Sequence, residues 1–255
     1  MKIGIATNCF SPDMPTEGAL TEIKLLGART VSIGLSTFYE YRPEFAKKYA
    51  PMLEGLRVGA VTSSPCNFES QLFDFSRRVR GDGLYWLDQV IRSCQIFGAE
   101  RYVFRGVNLD GASYTADRAA EFLGGINEIC GRYKIKLSLC NSFAGLLYRP
   151  GIFAEIRARQ PDISAAFDLR EAQRSGYPYS MFLKDMRGSI DCVYLSDSDG
   201  DGRQCLPGEG KTYFKEVFAR LKSEGFHGDV FIGCGGRTGE SLRRSLQYLH
   251  EAAKA

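Results

Sequence analysis

The chain has 255 residues and a mass of 28.4 kDa, with 44% apolar residues, which is the size of one parallel α/β barrel and supplies ample material for its core. Basic and acidic residues, 33 and 30, are interleaved to a net charge of +3, so no basic stripe points to nucleic acid and no acidic tail appears. No apolar run approaches the roughly 20 residues of a membrane span. The eight cysteines are scattered without C-x-x-C spacing, and Met1–Ala6 reads as a strand and not as a leader; free thiols in a cytoplasmic protein are expected.

Short β-branched runs alternate with amphipathic stretches along the whole chain. Lys2–Thr7 reads as strand one, followed by a helix through Thr21–Leu26 that stops at Gly27. Arg29–Gly34 is strand two, and Pro43–Leu53 a helix with proline in its first turn. Leu56–Thr62 is strand three, Asp82–Phe97 a helix, Arg101–Arg105 strand four, and Thr115 caps a helix to Arg132. Ile135–Cys140 is strand five, Gly151–Arg159 a helix, Ile163–Asp168 strand six, with one or two short helices up to Met186. Ile190–Ser196 is strand seven, Tyr213–Ser223 a helix, Val230–Cys234 strand eight, and Thr238–Lys254 the last helix.

Strict alternation implies parallel pairing, because each crossover helix returns the chain to the same edge. Eight such units in this length predict closure into one (β/α)8 TIM barrel domain over residues 1–255. An open doubly wound sheet is the alternative, but the first turn reads Asn8-Cys9-Phe10-Ser11-Pro12 instead of G-x-G-x-x-G. Barrel active sites form where the strands end in the C-terminal direction. That rule selects Asn8, Ser63, Ser64, Cys66, Arg105, Cys140, Asn141, Asp168 and Arg170 from strands one and three to six, and Tyr194, Asp197, Arg203, Glu209 and Cys234–Arg237 from strands seven and eight. The stretch from Ser196 to Gly202 superficially suggests calcium, but it lacks an EF-hand's closing Glu and reads as a solvated loop.

Several segments carry a resemblance. They are Leu137-Ser138-Leu139-Cys140-Asn141, Ala166-Phe167-Asp168-Leu169-Arg170, Val193-Tyr194-Leu195-Ser196-Asp197, Leu206-Pro207-Gly208-Glu209-Gly210 and Val230-Phe231-Ile232. In this order they resemble the xylose isomerase-like barrels: sugar and sugar-phosphate isomerases and epimerases, inosose dehydratases and endonuclease IV-type nucleases. The resemblance implies a divalent metal held by carboxylates and histidines at the mouth. This chain departs from that pattern. Cys140 stands for the strand-five Glu, and Arg170 for the His after Asp168. Tyr194 stands for the strand-seven His, Cys205 for the His before P-G-E-G, Gly233 or Cys234 for the strand-eight Glu, and Arg105 for the strand-four His. Only Asp168 survives. His227 falls before strand eight, at the opposite end of the barrel, and His250 on the last helix. A metal needs several hard-oxygen, imidazole or thiolate donors, so no metal and no cofactor are expected.

Several departures are cationic. A guanidinium grips phosphate or carboxylate in a fork and stays charged. The expected partner is therefore a small anionic sugar-like or polyol-derived molecule, with no nucleic acid and no membrane. Arg105, Arg170, Asn141, Tyr194, Arg203 and Arg237 are the candidate ligand-binding residues. Asp168, Glu209, Cys140 and Asp197 are the candidates for metal-free proton transfer of the isomerase or epimerase kind. The opposed alternative is a degenerate, non-catalytic barrel in which the arginines pair with Asp168, Asp197 and Glu209.

Overall fold

A computed structural model describes residues 1–106, 116–237 and 239–254. The expected cap Thr115 and Thr238, the expected first residue of the last helix, lie outside the described residues. Eight parallel strands close into a barrel in the cyclic order β1-β8-β7-β6-β5-β4-β3-β2. They are β1 (Lys2–Ala6), β2 (Thr30–Leu35), β3 (Arg57–Ser63), β4 (Arg101–Phe104), β5 (Lys136–Cys140), β6 (Ser164–Asp168), β7 (Ile190–Leu195) and β8 (Asp229–Ile232). Around them lie α1 (Thr16–Leu25), α2 (Pro43–Tyr49), α3 (Arg77–Ile96), α4 (Ala116–Arg132), α5 (Ile152–Arg157), α6 (Leu169–Arg174), α7 (Tyr179–Asp185), α8 (Phe214–Ser223) and α9 (Gly239–Lys254).

The helices bury one stripe each. In α9 the buried residues are Leu242, Ser245, Leu246, Leu249 and Ala252, the i, i+3, i+4, i+7 spacing of a helix laid on a sheet. Three departures from the sequence expectation have a plain physical cause. Pro51 cannot donate to the helical ladder, so α2 ends at Tyr49 and the chain continues as a 3₁₀ turn over Ala50–Leu53. Helix α3 begins at Arg77, ahead of Gly81 and Gly83, whose poor propensity hides its first turns. The loop expected after β7 contains a two-stranded antiparallel ribbon, Asp197–Ser198 against Gln204–Cys205.

The barrel interior is layered. At its N-terminal end Arg57 and Arg101 meet Glu100, Asp191 and Asp229 in a network of ion pairs. Above it the ring of Phe231 fills the space beside Gly59. A Cβ there would lie 2.8 Å from that ring and 2.6 Å from Asp229 Oδ2, so only glycine fits. The Phe231 ring also packs against Tyr194, with centroids 5.5 Å apart. Tyr194, Arg105, Cys140 and Asp168 then form the floor of the opposite end.

Candidate functional site at the C-terminal mouth

Arg105 directly follows β4 and Asp168 ends β6. Arg105 Nη2 donates to Asp168 Oδ2 at 3.0 Å, and the guanidinium lies 5.5 Å from the centre of the Tyr194 ring. A carboxylate on one side and an aromatic face on the other hold this cation over the barrel axis. Asp168 is fixed from two further directions. Asn141 takes the backbone N–H of Asp168 on its Oδ1 at 2.7 Å and donates Nδ2 to the Asp168 carbonyl at 2.8 Å. Asp168 also caps α6, accepting the Glu171 N–H at 3.1 Å. Burial raises the Asp168 carboxyl above its ordinary range, and the Arg105 charge works against that rise.

A cleft of about 510 Å³ opens above this pair. Its charged lining is Arg105, Arg170 and Arg174 against Asp168 and Glu171. Glu171 accepts from Ser142 Oγ at 3.0 Å, from the Phe143 N–H at 3.1 Å and from Arg174 at 3.2 Å. Arg174 also stacks on the Phe143 ring, 3.5 Å from its centre. Arg170 donates to the Gly202 carbonyl at 2.7 Å and has no carboxylate partner among the described residues. A smaller chamber of about 220 Å³ adjoins the cleft on the β1–β3 side and shares Asn8 and Arg105 with it. Ser32 and Tyr194 meet across the barrel there, oxygen to oxygen at 2.8 Å.

The other candidates occupy different places. Asp197 is buried and accepts four backbone N–H groups, from Ser198, Gly208, Gly210 and Thr212, at 2.8 to 3.2 Å. It organises the P-G-E-G loop and does not line the cleft. A Cβ at Gly210 would fall 2.5 Å from its Oδ1, which accounts for that glycine. Glu209 is exposed on the same loop and accepts the Leu206 N–H at 3.2 Å. Arg203 is an exposed ribbon residue paired with Asp201 at 3.8 Å. Arg237 donates to Cys234 Sγ at 3.2 Å and to the Gln204 carbonyl at 2.7 Å. Arg170 and Arg237 thus hold the ribbon from its two sides. Cys140 is wholly buried, and burial pushes its thiol up to about 12 despite Arg105 nearby. It is a neutral thiol at ordinary pH, as Cys234 is, whose burial outweighs the contact with Arg237.

The sequence reading does not single out Glu171, Arg174 or Gln204, all in the cleft lining. Asp168-Leu169-Arg170-Glu171 has the spacing of a helix capping box, which was the available signal. Glu69 is likewise unforeseen. It is a wholly buried carboxylate held by Ser63 Oγ at 2.7 Å, Tyr102 Oη at 2.7 Å and the Gly106 N–H at 3.1 Å. Burial raises its pKa, and it anchors the top of β3 from behind Ser63.

The donor set does not fit the divalent metal that the resemblance implies. Of the positions where ligands would stand, Arg105 carries a fixed positive charge on the one surviving carboxylate. Cys140 is a neutral thiol, Tyr194 is bonded to Ser32, and Gly233 offers no side chain. No group of three or more His, Cys, Asp or Glu side chains suited to a metal occurs among the described residues. His227 and His250 are exposed and distant; His250 lines a groove at the N-terminal end beside Arg57.

No protein-family profile and no curated protein matches the sequence. Solved structures do match. A D-tagatose 3-epimerase-like protein superposes with a TM-score of 0.80 at 20% identity, over 98% of this chain and 99% of its own. An L-ribulose 3-epimerase gives 0.80 at 16% identity, over 100% and 95%. A probable 3-DHS dehydratase, AsbF from Bacillus anthracis, gives 0.75 at 12% identity, over 98% and 99%. At these identities the likeness concerns architecture: the chain has the parallel (β/α)8 TIM-barrel fold of these sugar epimerases and this dehydratase.

Proposed function

We propose that the C-terminal mouth binds a small anionic, sugar-like or polyol-derived ligand and moves a proton on it without a divalent metal. The observation that carries this reading is the charge of the cleft, three arginines against two carboxylates among the described residues, with Arg170 bonded there only to a backbone carbonyl. A surplus of positive charge in a concave site suits an anion, and guanidinium suits its carboxylate or phosphate. The fold shared with sugar epimerases supports the sugar-like class. Free cysteines, eight of them, support a reducing cytoplasmic setting. The partner in this reading is the small molecule alone, with no nucleic acid, membrane or cofactor.

The chemistry follows from the Arg105–Asp168 pair. Asp168 takes a proton from the carbon beside a carbonyl, and the oxygen that gains charge is stabilised by Arg105. Burial raises Asp168, which brings a carboxylate base closer to working pH. Asp168 and Glu171 both rise from the β6–α6 rim, so both address one face of the ligand. Among the described residues no carboxylate lines the cleft from the facing rim. The proton therefore leaves and returns on one face. That is the requirement of an isomerisation, in which it is delivered to the former carbonyl carbon while the hydroxyl proton shifts between the two oxygens. Inversion by two opposed carboxylates has no second partner here.

The second reading is a non-catalytic ligand-binding barrel. It is favoured by the same ion pair, which already satisfies Asp168 without any ligand. Proton NMR in D₂O with chelator separates the two. Keto- and aldose-phosphates and sugar acids are incubated with protein, and loss of the C–H signal beside the carbonyl is followed. Exchange with at least one anionic sugar, abolished by Asp168→Asn, is expected. No exchange with any of them, alongside measurable binding, leaves the binding reading in its place.

A further inference from the structure

The two cavities at the mouth differ in kind. The cleft beside β6 carries the charged groups. Among the described residues, the chamber on the β1–β3 side carries no carboxylate, and its only charged lining residue is the shared Arg105. Its other polar lining is hydroxyl and amide: Ser32, Thr62, Ser63, Ser64, Tyr194 and Asn8. Ser32 and Tyr194 satisfy each other, and Ser63 is bound to Glu69 and Tyr102. The side chains of Asn8, Thr62 and Ser64 make no hydrogen bond among the described residues and line open space. Neutral donors and acceptors left unpaired around a small cavity suit a ligand's hydroxyl groups, each of which both donates and accepts.

Position adds to composition. In the cyclic strand order β2 and β6 stand four strands apart, on opposite sides of the axis. A ligand that uses both cavities must cross the mouth over Arg105. A compact anion reaches only one of them. An extended chain of hydroxylated carbons ending in an anion reaches both, and its middle carbons then lie at the Arg105–Asp168 pair.

Resting on the anion-binding reading above, we infer that the mouth holds an acyclic polyol anion end-on, its carboxylate or phosphate on Arg170 and Arg174 and its far hydroxyls in the chamber beside β2. Gly34 keeps that chamber open. A Cβ added there would make ordinary contacts of 3.5 Å with Thr62 Oγ1 and 3.6 Å with Thr7 Oγ1, so a side chain fits without strain and fills the space.

The test is calorimetric titration of sorbitol 6-phosphate, inorganic phosphate and sorbitol, with D-gluconate and acetate as the carboxylate pair. It uses the full chain as wild type, Gly34→Val, Thr62→Val and Arg170→Met. Two or more hydroxyl contacts make sorbitol 6-phosphate bind about tenfold or more tighter than inorganic phosphate to wild type. Gly34→Val removes that advantage and leaves phosphate binding unchanged, while Arg170→Met weakens both anions. Thr62→Val, which keeps shape and loses one hydroxyl, reduces the advantage in part and serves if the valine at position 34 impairs folding. Equal affinity of wild type for sorbitol 6-phosphate and phosphate overturns the end-on arrangement and leaves anion binding standing. So does an advantage that survives both chamber variants. Failure of every anion to bind overturns the arrangement together with the reading it rests on.

Discussion

At the N-terminal end of the barrel, Arg57 meets Glu100 and Asp229, and Arg101 meets Glu100, Asp191 and Asp229. At the C-terminal end Arg105 meets one carboxylate and Arg170 none among the described residues. Both ends thus place arginine at the strand termini, yet only the lower end surrounds it with several carboxylates. The lower network is closed on itself and capped by Phe231. It fixes strands β3, β4, β7 and β8 relative to each other, and Ser138 of β5 joins by donating to Asp191 at 2.9 Å. The upper end leaves charge and hydrogen-bonding capacity facing open space. An arginine satisfied by protein contributes to the fold, and one left on backbone carbonyls is available to a ligand.

Substitutions at the two ends break this comparison in graded ways. The largest effect is expected from Arg101→Met, which leaves Asp191 in the barrel floor without its cation and Asp229 with Arg57 alone. A loss of about 3–5 kcal/mol in denaturant unfolding is expected, because breaking a buried pair leaves an uncompensated charge. Asp197→Ala comes next. It deprives four backbone N–H groups of their acceptor, and about 2–3 kcal/mol should be lost, with proteolytic nicking in the ribbon and P-G-E-G loop as a second readout.

Arg105→Met should cost less than Arg101→Met, and its cost should depend on pH. Arg105 favours the ionised form of Asp168. Its contribution is therefore present above the Asp168 pKa and lost as pH falls through it, since a neutral carboxyl needs no cation. Melting temperatures of variant and wild type should converge toward acid pH and diverge toward neutral; a gap independent of pH would contradict the pairing. Arg170→Met removes one hydrogen bond to the ribbon, so about 1 kcal/mol of stability should be lost, while anion binding weakens. Smallest in function is Cys140→Ala. A thiol held at about 12 is not a base at neutral pH, so any proton exchange should persist within about twofold of wild type, apart from a packing cost of about 1 kcal/mol.

The barrel was legible because its signals are repetitive. Alternating periodicity, glycine stops after helices and proline near the start of α2 all agree, and errors fall where one residue acts against a pattern, as Pro51 does in ending α2. The site was legible only in its strand-end residues. Arg105, Asp168 and Asn141 sit at positions fixed by the fold, and the structure brings them together. Asp197 and Glu209 lie in a loop whose path depends on a carboxylate turning inward to backbone N–H groups, which spacing alone does not reveal. Glu69 and Glu171 depend on loop and cap geometry. The lower network joins residues as far apart in sequence as Arg57 and Asp229, and no local pattern marks such a contact.

In the proposed mouth the Arg105 guanidinium supplies the fixed positive charge beside Asp168, and the proposed ligand is an anion. A thermal-shift series tests this most directly: chelated protein with sugar phosphates, sugar acids, neutral sugars, and magnesium, manganese or zinc ions. A ligand that binds the native state raises its melting temperature with concentration. Stabilisation by anionic sugars in the presence of chelator, with none from the metals alone, is the predicted result. Stabilisation that requires a divalent metal would contradict it.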